Sequence, residues 1–153
     1  TADFSARGEN LRLSLNNVAD DGAFGEGDNI QTDVEDIWGG GGNDVIVGNT
    51  SGNTDVANFF SGGAGDDDIR GLGGDDLIFG GYGDDSLDGG AGNDIIAGNQ
   101  GRDYMLGGDG DDLIEANDGE LDTVIGGAGY DVVWADSGNP VVDNVNAEEV
   151  FLI

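Results

Sequence analysis

Apolar residues recur along most of this chain at intervals of nine, each at the centre of a short strand-forming stretch. The six residues before each stretch are rich in glycine and aspartate, and they therefore favour a sharp turn. In a strand, the central side chain points one way and its two neighbours point the other way. The pattern predicts repeated turn–strand units, each with one inward residue: Ile46, Phe60, Ile69, Ile78, Leu87, Ile96, Met105, Ile114, Val124 and Val133.

The unit is written GGxGxDxUx, with the aspartate at position six and the inward apolar residue U at position eight. A strand with one inward residue cannot form a core alone, so successive strands must stack and alternate between two sheets. Two units then make one coil of eighteen residues, and each unit lies beside the unit two further along. The repeats in residues 39–134 predict an all-β solenoid of about five coils, built from two short-stranded sheets.

Two units depart from the period of nine. Residues 48–61 form a unit of fourteen residues, in which Asn58 takes the aspartate position. Residues 116–125 carry one extra residue before Asp122. The repeat continues in register on both sides of each departure.

The flanks, residues 1–38 and 135–153, are predicted to cap the two ends of the solenoid, which would otherwise expose core and strand edges. "LRLSL", at residues 11–15, alternates as a strand does. "TDVEDIWGG" predicts the strand that enters the array, and "NVNAEEVFLI" predicts a cap on the last coil.

Composition excludes several classes of function. The chain has 33 acidic and 4 basic residues, a net charge of −29, so it should repel nucleic acid and anionic membranes. It has no histidine, lysine or cysteine, hence no Ser–His pair, no Schiff-base lysine and no thiol nucleophile. Two carboxylates can cleave a glycosidic bond, but aspartates at a fixed repeat position are better explained as metal ligands. We predict no catalytic activity and no membrane insertion.

The eighteen-residue coil places the position-six residues in two columns. One column holds Asp44, Asp67, Asp85, Asp103 and Asp122, and the other holds Asn58, Asp76, Asp94, Asp112 and Asp131. Carboxylates stacked at about 4.8 Å repel strongly unless cations lie between them. The columns therefore predict bound cations.

Glycine turns present backbone carbonyls with no side chain in the way. The candidate carbonyl donors are those of Gly63, Gly65, Gly81, Gly83, Gly90, Gly92, Gly108 and Gly110. Carboxylates and carbonyls, without nitrogen or sulfur donors, suit a hard cation such as Ca²⁺. Four gaps in one column and three or four in the other predict roughly seven or eight ions.

The repeat, as in "GGAGNDIIAG", resembles the nonapeptide of RTX calcium-binding proteins. The resemblance implies a right-handed parallel β-roll, with Ca²⁺ held between coils by the position-six aspartates and turn carbonyls. It also implies secretion from a bacterium, usually by a type I exporter, to the cell surface or medium. Asn58 and the two longer units depart from the family pattern and are expected to weaken the sites beside them.

An acidic loop precedes the repeats and contains Asp20, Asp21, Glu26 and Asp28. It is either a solvated loop or a further Ca²⁺ site, and it lacks EF-hand spacing.

Position seven points outward, and the two sheets differ there. One sheet has the mixed column Val45, Asp68, Ser86, Tyr104 and Thr123, and the other has the apolar column Phe59, Leu77, Ile95, Leu113 and Val132. Aliphatic residues favour strands in any case, but an exposed apolar patch also marks an interface. We expect the apolar column to be covered, either by "LRLSL" or by another copy of the chain.

We predict a secreted structural module that folds on calcium and belongs to an extracellular surface, matrix or filament-forming protein. The alternative is the C-terminal accessory or secretion domain of an exported enzyme or toxin whose active domain is absent here. "TADFSAR" resembles the sequence that follows a repeat aspartate, which suits one module of a tandem protein. Glu149 and "VFLI" instead suit a C-terminus that an exporter recognises.

Overall fold

Successive strands of the repeat alternate between two sheets, as the sequence predicts. The computed structural model describes residues 1–16, 18, 21–26, 28–31, 34–49, 56–137 and 147–152. These residues contain no helix, and the strand order in each sheet skips every second repeat strand. The chain is therefore an all-β parallel solenoid of about five coils, which confirms the predicted fold class.

The two sheets can be followed strand by strand. In spatial order, the eight-stranded sheet contains β1 (Ala2–Asp3), β4 (Asp36–Gly41), β6 (Phe59–Ala64), β8 (Leu77–Tyr82), β10 (Ile95–Gln100), β12 (Leu113–Ala116), β14 (Asp131–Ala135) and β15 (Ala147–Leu152). The seven-stranded sheet contains β13 (Thr123–Ala128), β11 (Tyr104–Asp109), β9 (Ser86–Ala91), β7 (Asp68–Gly73), β5 (Val45–Val47), β2 (Leu11–Ser14) and β3 (Gly22–Ala23).

Neighbouring repeat strands pair in parallel with a register of one coil. Leu77 lies between Phe59 and Ile95, 18 residues away in each direction. Across the two longer units the spacing grows to 23 residues and to 19 residues, but the aspartate columns stay aligned. Each unit therefore lies beside the unit two further along, as predicted. Residues 50–55 of the fourteen-residue unit lie outside the described residues.

One column of side chains fills the space between the sheets. All ten predicted inward residues are buried, with at most 3% of their surface exposed. Leu13 and Ile37 extend this column toward the N-terminus, and both are fully buried. The core is one residue thick because each strand supplies one inward side chain, worth about 1.5–3 kcal/mol when fully buried.

The strands are longer than the three residues that the sequence predicts. Strand β8 continues through the first three positions of the next unit, where Gly81 pairs with Gly63 one coil earlier. Gly81 has a φ of 130°, and a Cβ there would overlap the carbonyl oxygen of Gly63. Because bare backbones can stack this closely, parallel pairing extends into the glycine segment, and the turn is confined to the middle of the unit.

The N-terminal flank continues the solenoid. Strand β1 pairs in parallel with β4, and β2 pairs in parallel with β5. Strand β3 then pairs antiparallel along the outer edge of β2. "LRLSL" thus belongs to the seven-stranded sheet, so the expectation that it covers the apolar column of the other sheet is wrong. The alternating pattern of this segment buries Leu11 and Leu13 in the common core instead.

The C-terminal flank also adds a strand. Strand β15 pairs in parallel with β14, with one register shift beside Val132. It lies at the edge of the eight-stranded sheet, where Phe151 packs edge-on against Trp134 with ring centroids 6.2 Å apart. The acidic-then-apolar tail therefore extends the last coil.

Candidate metal centre

The position-six aspartates lie where each turn re-enters a strand, and all of them are buried. No more than 3% of the surface of any one is exposed: Asp44, Asp67, Asp76, Asp85, Asp94, Asp103, Asp112, Asp122 and Asp131. Asn58, which takes the same position in the longest unit, is 5% exposed. The strand register aligns them in the two predicted columns, and the coil fixes this arrangement.

One carboxylate oxygen of each aspartate ties its coil to the preceding coil. The backbone amide of Asp76 donates to Oδ1 of Asp94 at 2.8 Å, and the amide of Asp94 donates to Oδ1 of Asp112 at the same distance. The other column repeats this bond, from Asp67 to Asp85 and from Asp85 to Asp103. Leu11 starts the ladder by donating to Asp44. Oδ1 is thus a structural acceptor.

The second oxygen of these carboxylates is buried without a hydrogen-bond partner. This holds for Oδ2 of Asp44, Asp67, Asp76, Asp85, Asp94, Asp103 and Asp112. A buried polar atom without a partner costs about 1–3 kcal/mol, and more when it is charged. Buried orphan oxygens repeated on every coil indicate that something outside the chain completes them.

Burial makes these carboxylates hard to ionise. It raises the pKa of Asp85 to about 8, and it raises the pKa values of Asp67, Asp76 and Asp112 to about 7. For Asp94 and Asp103 the same cause raises the pKa to about 6. Negative neighbours in the column add to the effect, while the amide hydrogen bond opposes it. A divalent cation would remove this penalty, because it stabilises the ionised form.

The first glycine of each unit makes room for the free oxygen. A Cβ on Gly71 would overlap Oδ2 of Asp76 and would lie 2.5 Å from the carbonyl oxygen of Gly89 on the next coil. At Gly39 the same Cβ would lie 2.6 Å from Oδ2 of Asp44. These glycines keep a small space that carboxylate and carbonyl oxygens both face.

Seven of the eight predicted carbonyl donors are stacked along the turns, and the eighth, Gly81, pairs with Asn99 instead of a glycine. The oxygens of Gly63, Gly65, Gly83, Gly90, Gly92, Gly108 and Gly110 each lie against the glycine one coil later, closely enough to exclude a Cβ. These carbonyls therefore form columns along the turns, and the carbonyl oxygens found together with the aspartate Oδ2 atoms are those of position-one glycines such as Gly80 and Gly89.

No three His, Cys, Asp or Glu side chains converge on one point among the described residues. Any bound cation must therefore take much of its coordination from carbonyl oxygens. Orphan carboxylate oxygens and stacked carbonyls form an all-oxygen donor set, which fits Ca²⁺ in its chemistry. The residues that would hold the ion are the position-six aspartates, which lie along both turn edges.

A second ladder of oxygens, which was not predicted from the repeat, lies at position five. Here the amide of each later coil donates to the side chain of the earlier one, opposite in direction to the aspartate ladder. Asn93 donates to Oδ1 of Asp75 at 2.8 Å, and Asp111 donates to Oδ1 of Asn93 at 2.8 Å. The signal was present, because position five is Asn or Asp in six units: Asn43, Asp66, Asp75, Asp84, Asn93 and Asp111.

The acidic N-terminal loop is held by protein donors. Asp21 is fully buried and accepts hydrogen bonds from the amides of Ser14 and Ile30. Glu26 accepts from the amide of Ala23 and pairs with Arg7. Asp28 forms an antiparallel bridge with Asp21, and its Oδ2 lies beside Gly22 together with Glu26. Asp20 lies outside the described residues. A calcium site in this loop stays a prediction.

A family model described as the RTX calcium-binding nonapeptide repeat matches four stretches of the chain, residues 35–55, 61–96, 89–120 and 121–142. Together they cover roughly two thirds of its length. Comparison with curated proteins and with solved structures gave no match. Among the described residues, no helix is long and apolar enough to cross a membrane.

Proposed function

Because the chain belongs to the family of RTX calcium-binding nonapeptide repeat proteins, we propose that it is a secreted structural module whose folding is completed by Ca²⁺. It forms part of an extracellular surface, matrix or filament-forming protein of a bacterium. The observation that carries this proposal is the run of buried, partnerless Oδ2 atoms along the aspartate columns. The arginines Arg7, Arg70 and Arg102 pair with other carboxylates, those of Glu9 and Glu26, Asp68 and Asp84 respectively.

Calcium acts here as a component of the fold. The unfolded chain, with a net charge of −29 and 32 glycines, is costly to order. Ions that bind only the folded roll offset part of this charge and shift the equilibrium by mass action. Extracellular calcium modules have dissociation constants of about 10⁻⁴–10⁻³ M. A module with such a constant would stay unfolded inside the cell and fold when it reaches the calcium outside. A type I exporter would then pass an unfolded chain.

The number of ions follows from the gaps between stacked carboxylates. The column from Asp44 to Asp122 has four gaps, and the column from Asp76 to Asp131 has three, with a fourth beside Asn58. We expect roughly seven or eight ions. Native mass spectrometry of the calcium form would count them, and eight ions would show that the Asn58 gap is filled. Fewer than about five would contradict a site in each gap.

Catalysis is not part of this proposal. The chain has no histidine, lysine or cysteine, and its buried aspartates are committed to the ladder between coils. As the accessory domain of a longer enzyme or toxin it would keep the same calcium chemistry, because that chemistry depends only on the repeat.

Self-association is proposed as a second property, carried by the outer face of the eight-stranded sheet. The strand register places the apolar column, Phe59, Leu77, Ile95, Leu113 and Val132, in one line across five coils. Ile95 is 43% exposed, and "LRLSL" lies on the other sheet. Bound calcium lowers the charge that otherwise keeps two copies apart.

Limited proteolysis tests the calcium requirement directly. We expect the chain to be degraded rapidly in excess chelator and to resist the same protease in millimolar calcium, with magnesium giving little protection. A calcium-insensitive protease, used at equal activity in each condition, is needed as the reagent. Equal resistance with and without calcium would contradict the proposal.

A further inference from the structure

A groove on the outer face of the eight-stranded sheet shares Phe59 with the apolar column and extends toward the glycine turns. Its volume is about 650 Å³. Residues of β4, β6, β8 and β10 line it in succession, and Asp118, from the loop after β12, closes one end. Five strand positions at about 4.8 Å make the groove roughly 19 Å long.

One wall of the groove is aromatic. Trp38 and Phe59 have ring centroids 4.8 Å apart, and Phe59 and Phe79 have centroids 5.7 Å apart. Trp38 is 42% exposed, and Tyr82, further along the groove, is 62% exposed. Between them the groove is lined by Gly63 and Gly81, which have no side chain, and by Ser61 and Phe79.

The other end of the groove is polar but has little charge. It presents the amides of Asn99 and Gln100 and the carboxylate of Asp118. The amides offer both hydrogen-bond donors and acceptors, and the carboxylate offers acceptors. No basic residue lines the groove, and in a chain with a net charge of −29 an anionic ligand is disfavoured.

Some departures from the repeat lie in this groove, whereas another, Leu72 with a φ of 75°, lies on the other sheet. Asn99 takes a glycine position and holds a φ of 69°, whereas its neighbour Gly81 has a φ of 130°. Gln100 and Tyr82 occupy the variable third position, and Asp118 comes from the unit with an extra residue. A non-glycine residue held in the left-handed region is a feature that often marks ligand sites.

We propose that this groove binds a neutral, linear oligosaccharide. The C–H face of a pyranose ring carries slight positive charge and packs on the negative face of an aromatic ring. Its hydroxyl groups pair with amides and a carboxylate, which fix orientation in sites of this kind. The groove is roughly as long as four linked pyranose rings. Binding would give the calcium-folded module a glycan target, and the bound calcium ions would not themselves contact the sugar.

Tryptophan fluorescence tests the proposal on the calcium-loaded chain. The chain has two tryptophans, so Trp134→Phe leaves Trp38 as the only reporter. We would titrate it with cellotetraose, chitotetraose, maltotetraose and mannotetraose, and with a tetra-arginine peptide as the cationic comparator. At least one sugar should shift the emission of Trp38 saturably. Tyr82→Ala should then weaken that sugar by about tenfold, while Tyr104→Ala, an exposed tyrosine of the other sheet, should leave it unchanged.

Circular dichroism in calcium confirms that each variant is folded, which separates failure of the groove from failure of calcium-driven folding. No response to any of the four sugars would overturn the proposal. Equal loss of affinity in Tyr82→Ala and Tyr104→Ala would also overturn it. A saturable response to tetra-arginine alone would identify a cation–π site instead.

Discussion

The backbone amide of Asp76 donates to Oδ1 of Asp94, 18 residues later, at 2.8 Å, while Oδ2 of Asp94 is buried without a partner. One carboxylate thus joins two coils and keeps one oxygen available. The same division recurs along both columns, so the repeat builds its structure and its ion site from one residue type. The effect of the charge at position six can therefore be measured apart from that of the hydrogen bond, by replacing an aspartate with asparagine.

Asp94→Asn keeps an oxygen that can accept the amide of Asp76 but removes the charge. Asp94 has carboxylates on both sides, Asp76 and Asp112, so its loss weakens two gaps. We expect the calcium concentration at the folding midpoint to rise by about tenfold, equivalent to about 1.4 kcal/mol.

Asp44→Asn is the matched control. Asp44 is equally buried, but its neighbours are Asp67 on one side and Leu11 on the other, so one carboxylate gap is affected. Its midpoint should rise by a smaller factor. Identical midpoints for the two variants would contradict sites shared between adjacent coils.

Gly62→Ala tests the space kept for the free oxygen. The new Cβ would overlap Oδ2 of Asp67. Gly8→Ala is the control, because no atom lies within 4 Å of a Cβ there. Isothermal titration calorimetry should show a clear loss of calcium affinity for Gly62→Ala and almost none for Gly8→Ala. If Gly62→Ala binds calcium like the parent, the first glycine has no role in the site.

The pKa shifts predict an unusual dependence of the calcium-free chain on pH. Burial raises the pKa of Asp67 and Asp76 to about 7 and that of Asp85 to about 8, whereas an unfolded aspartate has a pKa of about 3.9. The folded state thus binds more protons between these values. The folded state is therefore favoured most below about pH 4, and this stability is lost as the pH rises through about 6 to 8.

Acidification should therefore partly replace calcium. Far-ultraviolet circular dichroism of the calcium-free chain should show more β structure at about pH 5.5 than at about pH 8. At the lower pH, protons also compete with calcium for the carboxylates. More calcium should therefore be needed there for the same calcium-induced gain in β structure. A calcium-free signal that loses β structure on acidification would show that the aspartates are not buried in the folded roll.

Leu77→Asp combined with Leu113→Asp tests self-association. Both residues point outward in the apolar column of the eight-stranded sheet. The calcium-loaded parent should form species larger than a monomer in analytical ultracentrifugation, and the double variant should remain monomeric while retaining its calcium-induced folding. Ser86→Asp with Thr123→Asp, at position seven of the other sheet, controls for added charge. If all three proteins sediment alike, the column is only a solvated sheet surface.

The period of nine was sufficient to predict the core, the two sheets and the aspartate columns, because each depends on one residue type at one position. Ile78, for example, needs only its spacing to be placed inside. Strand length was not predictable in this way, since it depends on how closely Gly63 and Gly81 stack across coils. This close contact between glycines is a property of paired backbones, and it leaves no periodic apolar pattern in the sequence.

The position of "LRLSL" could not be derived from its alternation either. Alternation predicts a strand with one buried face, and both candidate locations would have buried Leu11 and Leu13. The choice is made by register, because the amide of Leu11 can donate to Asp44 and so begins the ladder. The groove beside Trp38 likewise depends on residues from four strands and one loop, which no local pattern joins.

The central claim, that Ca²⁺ completes this fold, is tested most directly by circular dichroism during a calcium titration of the purified chain at neutral pH. The thin core is too small to offset the glycine entropy and the uncompensated acid columns. We therefore predict a largely disordered spectrum in excess chelator and a cooperative gain of β structure as calcium is added. Substantial β structure in excess chelator, unchanged by calcium, would contradict the account.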